Sequence, residues 1–310
     1  MNELLAVRDL SKTFGDFKAV KNLSFTVNQG DVYGFLGQNG AGKSTTMRML
    51  LKLIRPNKGE IKFFGKKIEL DDYSMLQETG AIIERPDLYK YLSAYDNLKL
   101  FAKMSGIKAT KQVLMAQLEM VGLADRYDSK AKTFSQGMKQ RLGIAIALVH
   151  QPKLIILDEP TNGLDPQGIA DMRNLILRLS REMGKTVIVS SHLLSEIEMI
   201  ANRMIIIHKG EKVVEGNVSN LLDPAKTLVE INTTDNTDTL SKLQSTKWAS
   251  LLETSNKSIR VRMDRKAVPE LITTLSQLNA NILSVTPRHS LEDYFLSLTN
   301  NDTHVEPFTN

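Results

Sequence analysis

Cysteine is absent from the 310 residues. That excludes disulfides and thiol chemistry, and it is compatible with a reducing compartment. Long apolar runs are missing as well. The longest, near Leu142–Val149, falls far short of the roughly 20 residues a helix needs to cross a bilayer. The start, Met1-Asn2-Glu3-Leu4-Leu5-Ala6-Val7-Arg8, is too short and too charged for a secretory leader. Nor is there a basic run with interleaved aromatics. The net charge is +5, but Lys and Arg are spread along the chain with Asp and Glu between them. The positive excess is therefore expected on a solvated surface, not in a nucleic-acid groove. What is present is a globular composition, 42% hydrophobic and 24% charged, in a chain long enough for two domains.

The sequence is organised around Gly37-Gln38-Asn39-Gly40-Ala41-Gly42-Lys43-Ser44-Thr45. This stretch meets every specified position of the phosphate-binding pattern G-x-x-x-x-G-K-[ST]. Val32–Leu36 before it reads as a buried strand, and Thr46–Ile54 after it as a helix. A strand turning tightly into a helix aims backbone N–H groups and a positive helix end at an anion. Lys43 is expected on the outer phosphates and Ser44 on Mg²⁺.

Around this loop the chain reads as an α/β core. Leu4–Asp9 and Ser24–Val27 form a β-rich entry, with Gly15-Asp16 as a turn. Phe14, beside that turn, is either a packing residue or a platform for a purine ring. Ile61–Phe64 and Ala81–Ile83 read as strands. From about 86 to 150 the pattern turns helical, with 3–4 apolar spacing over Ala94–Met104 and Lys111–Val121. Ser135 in Phe134-Ser135-Gln136-Gly137-Met138 would N-cap a helix and, with Gly137, offer a second anion-binding start. Leu154–Leu157 is a buried strand carrying Asp158 and Glu159 at its C-terminal end, where ligands sit in doubly wound folds. Asp158 is placed to bind Mg²⁺ and Glu159 to orient or deprotonate a water. A turn, Asn162-Gly163-Leu164-Asp165-Pro166, leads into a helix over 169–183. Thr186–Ser190 is a further buried strand, delivering His192 to the same edge as a donor to phosphate or water. A helix over Ser195–Ala201 and a strand over Arg203–Ile207 complete the core.

Taken together, these motifs resemble the ATPase subunit of ATP-binding-cassette transporters over about residues 3–220. The resemblance implies a P-loop NTPase core with a β-rich N-terminal subdomain and a helical insertion. It implies two copies associating head to tail, each ATP lying between one copy's phosphate loop and Ser135, Gln136 and Gly137 of the other. Asp165 would belong to the loop between copies. ATP and Mg²⁺ are the implied cofactors. The implied partners are a second ATPase subunit and integral-membrane permease subunits, with the chain held peripherally on the cytoplasmic membrane face. Two departures stand out. Phe134, Gln136 and Met138 replace three residues of the usual Leu-Ser-Gly-Gly-Gln. Glu84 stands where a Gln normally joins the core to the insertion, which resembles the branch of bacitracin-export and lantibiotic-immunity ATPases.

Residues 1–222 are thus expected as the nucleotide-binding domain and 223–310 as a small C-terminal α+β domain. Leu222-Asp223-Pro224 breaks the chain between them. In the second domain Thr227–Asn232, Ser258–Met263 and Ile282–Thr286 read as strands, and 237–245 and 268–279 as helices. Ser290–Leu296 looks like the closing segment of drug-exporting cassette ATPases, and Asn300–Asn310 reads as a polar tail. The expected function is ATP hydrolysis that powers a separate permease, exporting an antibiotic peptide or other amphiphile. One alternative is a cassette ATPase acting on nucleic acid or ribosomes, but those usually carry two cassettes or a long coiled coil. Another is a non-catalytic ATP-binding regulator, which loss of Lys43, Glu159 or His192 would mark; all three are present.

Overall fold

Residues 3–69, 71–221, 227–253 and 258–289 are described by the computed structural model. They fall into two units that part after Asn217. The expected boundary at 222/223 and the Leu222-Asp223-Pro224 break lie outside the described residues.

The first unit begins with a hairpin, β1 (Glu3–Phe14) and β2 (Phe17–Asn28), closed by Gly15-Asp16. Next come β3 (Val32–Leu36) and α1 (Lys43–Leu50). α1 starts three residues earlier than the pattern predicts and ends sooner. Gly42 explains the start: its φ is 105°, and a Cβ there would lie 2.6 Å from Ala19 O. The chain can therefore turn straight from loop into helix. A Schellman closure explains the end. Lys52 N donates to Met49 O at 3.1 Å and Leu53 N to Arg48 O at 2.9 Å, with Lys52 in the left-handed region at φ 58°.

β4 (Lys58–Phe63), β5 (Lys66–Lys67) and β6 (Thr79–Ile82) follow. The helical insertion holds α2 (Ala94–Met104), α3 (Lys111–Met120) and α4 (Gln136–Leu148), capped by the side chains of Ser93, Thr110 and Ser135. The core then resumes with β7 (Leu154–Leu157), α5 (Pro166–Arg181), β8 (Thr186–Ser191), α6 (Leu194–Ile200), β9 (Arg203–His208) and β10 (Glu211–Asn217). α5 starts at Pro166 rather than 169, because Asp165 Oδ1 accepts from Gly168 N at 3.1 Å and proline suits the first helical position.

Two sheets result. One is antiparallel, in the order β2-β1-β4-β5; the other runs β10-β9-β3-β8-β7-β6. In the second, β9, β3, β8, β7 and β6 are parallel and β10 is an antiparallel edge. Every residue of β3, β7 and β8 is buried, as expected for parallel strands covered on both faces. The sheets are tied by Arg203, which donates to Asp31 Oδ2 at 2.9 Å and Thr26 O at 3.0 Å. Tyr33 OH donates to Glu215 Oε1 at 2.9 Å. Burial, and then the Glu215 charge, push the Tyr33 phenol well above its ordinary value. α4 lies close against β6 because both meet at small residues. A Cβ at Gly80 would stand 2.1 Å from Ala147 O, and one at Gly143 would stand 2.5 Å from Pro86 Cβ.

The second unit contains α7 (Val218–Leu221), β11 (Thr227–Thr233), α8 (Asn236–Leu243), β12 (Leu252–Glu253), β13 (Ile259–Met263), α9 (Val268–Gln277) and β14 (Ile282–His289). From β11 onward this is a β-α-β-β-α-β chain folded into an antiparallel sheet, β12-β13-β11-β14. The two-residue β12 is too short to register in the sequence pattern. Val229, Ile231, Trp248, Leu271 and Leu275 form its core, and Trp248 Nε1 donates to Thr274 Oγ1 at 3.1 Å. Ser290–Leu296 and Asn300–Asn310 lie outside the described residues.

Candidate nucleotide site

The site is built at the C-terminal ends of three neighbouring parallel strands, β3, β7 and β8. β3 leads into the phosphate loop. Gly37 leaves no room for a side chain, since a Cβ would meet Ile207 O at 2.7 Å. Lys43 is almost wholly buried; its Nζ donates to Gly37 O at 2.7 Å and Gln38 O at 3.1 Å. The same Nζ lies 3.0 Å from Glu159 Oε1.

β7 ends in the carboxylate pair. Asp158 is 1% exposed. Its Oδ1 accepts from Ser190 Oγ at 2.5 Å, while its Oδ2 is buried with no partner. A buried, unpartnered carboxylate oxygen is costly unless something positive meets it. With the Ser44 hydroxyl from the loop, it is the donor set a hard divalent cation prefers. Glu159 sits at φ 48°, and Ser190 Oγ accepts from its backbone N at 2.8 Å. β8 delivers His192, whose Nδ1 lies 2.8 Å from Glu159 Oε2. A carboxylate partner makes Nδ1 the protonated nitrogen. Glu159 is therefore held from both sides, by a lysine cation and an imidazole N–H, in a pocket that leaves only 15% of its side chain exposed.

The remaining predicted residues fall in distinct places. Phe14 is at the hairpin tip, 48% exposed, with Lys12 Nζ 5.0 Å from its ring centroid. Ser135 Oγ accepts from Met138 N at 3.2 Å as the cap of α4, and Gly137 follows inside the first turn. Gln136 begins α4, and Asp165 caps α5. Glu84 is not among the buried groups. It follows β6 at φ 63° and pairs with Arg48 of α1. Gln38, Asn39, Gly40, Ala41 and Thr45 stay within the loop and the start of α1.

Sequence reasoning missed Ser190, Glu196 and Arg48. Ser190 serves both carboxylate residues, and its only sequence signal is a polar residue near the end of an apolar strand. Glu196 Oε2 accepts from Thr161 Oγ1 at 2.9 Å and Ser191 Oγ at 2.5 Å, bracing the loop after Glu159 against the end of β8, one residue before His192. Arg48 lies one helical turn beyond Ser44, a spacing that places both on the same side of α1.

A glycine-lined loop at a strand–helix junction, a buried cation, two strand-end carboxylates and an imidazole define a P-loop nucleotide hydrolase. The ABC transporter family profile matches residues 20–162. The chain is 40% identical over 305 residues to the bacitracin transport ATP-binding protein BcrA of Bacillus licheniformis, covering 98% of this chain and 99% of that protein. It is 43% identical over 212 residues to the lantibiotic transport ATP-binding protein SrtF of Streptococcus pyogenes, covering 68% and 90%. Among solved structures, the dimeric post-hydrolysis cassette MJ0796 bound to ADP and Pi superposes with a TM-score of 0.63 at 25% identity, covering 69% of this chain and 99% of that one. The chain belongs to the ATP-binding subunits of ABC transporters. It is an ATPase that energises a separate membrane permease. Among the described residues no helix is long and apolar enough to cross a membrane.

Proposed function

We propose that two copies of this chain form a head-to-tail homodimer that powers export of an antibiotic peptide or other amphiphile through its permease. It would sit on the cytoplasmic face of the membrane, with no nucleic-acid partner. The observation that carries the hydrolytic part is Glu159, held between Lys43 and His192 at the strand ends. Glu159 takes the proton of the water that attacks the γ-phosphate. Lys43 exchanges its loop carbonyls for the outer phosphates, and His192 orients Glu159 and the water. Ser44 and Asp158 hold Mg²⁺; the unpartnered Asp158 Oδ2 supports that assignment. Mg²⁺, when bound, offsets phosphate charge. Phe14 stacks on the adenine ring. Ser135, Gln136 and Gly137 act on the nucleotide held by the second copy, and Asp165 lies in the loop between copies. Kinship with BcrA and SrtF supports an amphiphilic peptide as cargo.

Glu84 has a different role. It couples the nucleotide to the permease through the loop entering the helical insertion, rather than supplying chemistry. Its exposed carboxylate, turned onto Arg48, supports this.

The test of the hydrolytic mechanism is Glu159→Gln. Hydrolysis should slow by about a thousandfold, and ATP should trap a dimer visible by light scattering. A variant that stays monomeric with ATP, or that turns over normally, would refute it. The cargo is tested by comparing peptide-antibiotic sensitivity of cells carrying the permease with wild-type or Glu159→Gln subunit. Equal sensitivity would rule out this class of substrate.

A further inference from the structure

Glu84 is the central residue of a three-residue turn. Arg85 N donates to Ile83 O at 2.8 Å across it, and its own φ is 63°. A three-residue turn with a positive φ at a non-glycine centre is rare and strained. Such a turn persists only where its flanks are fixed. Here they are. Before the turn, Ile82 O accepts from Asp158 N at 2.9 Å, which pins the strand end beside the carboxylate pair. After it, Pro86 packs on Gly143 of α4 so closely that no Cβ would fit. α4 is the helix capped by Ser135. The turn thus connects the end of β6 with the helix that presents Ser135, Gln136 and Gly137.

The turn brings the Glu84 side chain within reach of Arg48, in the middle of α1, and the two pair. The side chains are 41% and 62% exposed, so water screens the ion pair and leaves it weak. That is too little to hold a strained turn, and the flanks do that. It is enough to choose the orientation of one carboxylate that the turn has already placed. Without the pair, an unneutralised carboxylate would stand near the phosphate-binding end of the sheet, where it repels the γ-phosphate.

We propose that Arg48 is the positioning residue for Glu84: it ties the loop entering the helical insertion to the helix of the phosphate loop, so that the two move together. This rests on the coupling role proposed above for Glu84.

The experiment compares the full chain alone with the full chain reconstituted with its permease in liposomes. The quantity read is the ratio of the two ATPase rates, with KM for ATP and kcat determined separately in each. The variants are Arg48→Gln, Arg48→Lys, Glu84→Gln and the double Arg48→Gln/Glu84→Gln. Arg48→Gln is expected to lower the ratio about threefold, and Glu84→Gln by a similar factor. The double variant should be no worse than either single one, and Arg48→Lys should keep most of the wild-type ratio. Losses that multiply in the double variant would overturn the pair, because the residues would then act separately. If Glu84→Gln lowers the ratio and Arg48→Gln does not, Arg48 has no positioning role and Glu84 keeps its coupling role. If neither lowers it, the coupling role of Glu84 is itself refuted, and the pair with it. A rise in KM for ATP in the chain alone, with the ratio unchanged and the rise persisting in the double variant, would make Arg48 a phosphate-attracting charge and would also overturn the proposal.

Discussion

The two units of this chain bury polar groups in opposite ways. In the second unit the buried polar side chains satisfy one another: Thr233 and Thr239 share a hydrogen bond at 3.0 Å, and Trp248 donates to Thr274. Its one described positive-φ residue is Asn279, a type that tolerates that region. Arg260 Nε is buried without a hydrogen bond there, although its guanidinium lies 3.6 Å from Glu230. In the first unit His150 Nδ1 is buried without a hydrogen bond near the start of β6, and the other unsettled groups stand at the C-terminal ends of the strands. There Asp158 Oδ2 has no partner, Lys43 is shared between loop carbonyls and Glu159, and Glu159 and Glu84 are two of the eight described non-glycine residues of this unit with positive φ. A stable fold avoids an unpartnered buried carboxylate oxygen unless a ligand repays it. The contrast separates a unit folded for packing from one folded to meet phosphate and metal.

The hardest way to break this contrast is to remove its cation. Lys43→Ala should cut hydrolysis by about a thousandfold or more, because the outer phosphates lose their main protein charge. Near-normal steady-state turnover would dissolve the assignment of the phosphate loop. A core deletion in the other unit should act on a different axis. Leu271→Ala is expected to destabilise the second unit by about 2–5 kcal/mol, read as the shift of its unfolding transition in denaturant. ATP hydrolysis at low denaturant should hold. Loss of hydrolysis in step with that transition would show that the units are not independent.

A smaller effect belongs to the cap of α4. Ser135→Ala should cost about 1 kcal/mol of stability, yet depress hydrolysis far more than that, since the hydroxyl also serves the nucleotide of the second copy. A loss of activity no larger than the loss of stability would leave Ser135 as a cap alone. The smallest effect is a pH dependence. The Tyr33 phenol is raised above its ordinary value of 10.0, first by burial and then by Glu215. The fold therefore disfavours the phenolate. The stability this represents is fully present below pH 10 and drains away as pH rises above it. Thermal melts from neutral to alkaline pH should show that decline in wild type and a flatter one in Tyr33→Phe. Identical alkaline slopes would remove Tyr33 from the cause.

Elements were legible where they repeat locally. Val32–Leu36 and Leu154–Leu157 were bounded from their apolar runs, and Ala94–Met104 from its helical spacing. Boundaries slipped where a cap or turn decides them. The early start of α1 comes from the left-handed Gly42, and the early start of α5 from Asp165 and Pro166. β12 was missed because two residues show no period. The site residues Lys43, Asp158, Glu159 and His192 were legible because each sits at the end of a readable strand or loop. Their partners were not.

The sequence by itself determined the phosphate loop, the order of the strand-end motifs and the class of chemistry, because these depend on residue types at short, fixed spacing. The tertiary structure alone decided the pairings. Ser190 reaches Asp158 only because β8 lies beside β7, and Lys43 meets Glu159 only because β3 and β7 flank β8. Arg48 meets Glu84 across 36 residues of chain, and Pro86 finds Gly143 on a helix that follows two others. Hydrogen bonds and ion pairs act over a few ångströms in space, whatever the distance along the chain. No pattern of spacing encodes them until the sheet order is set.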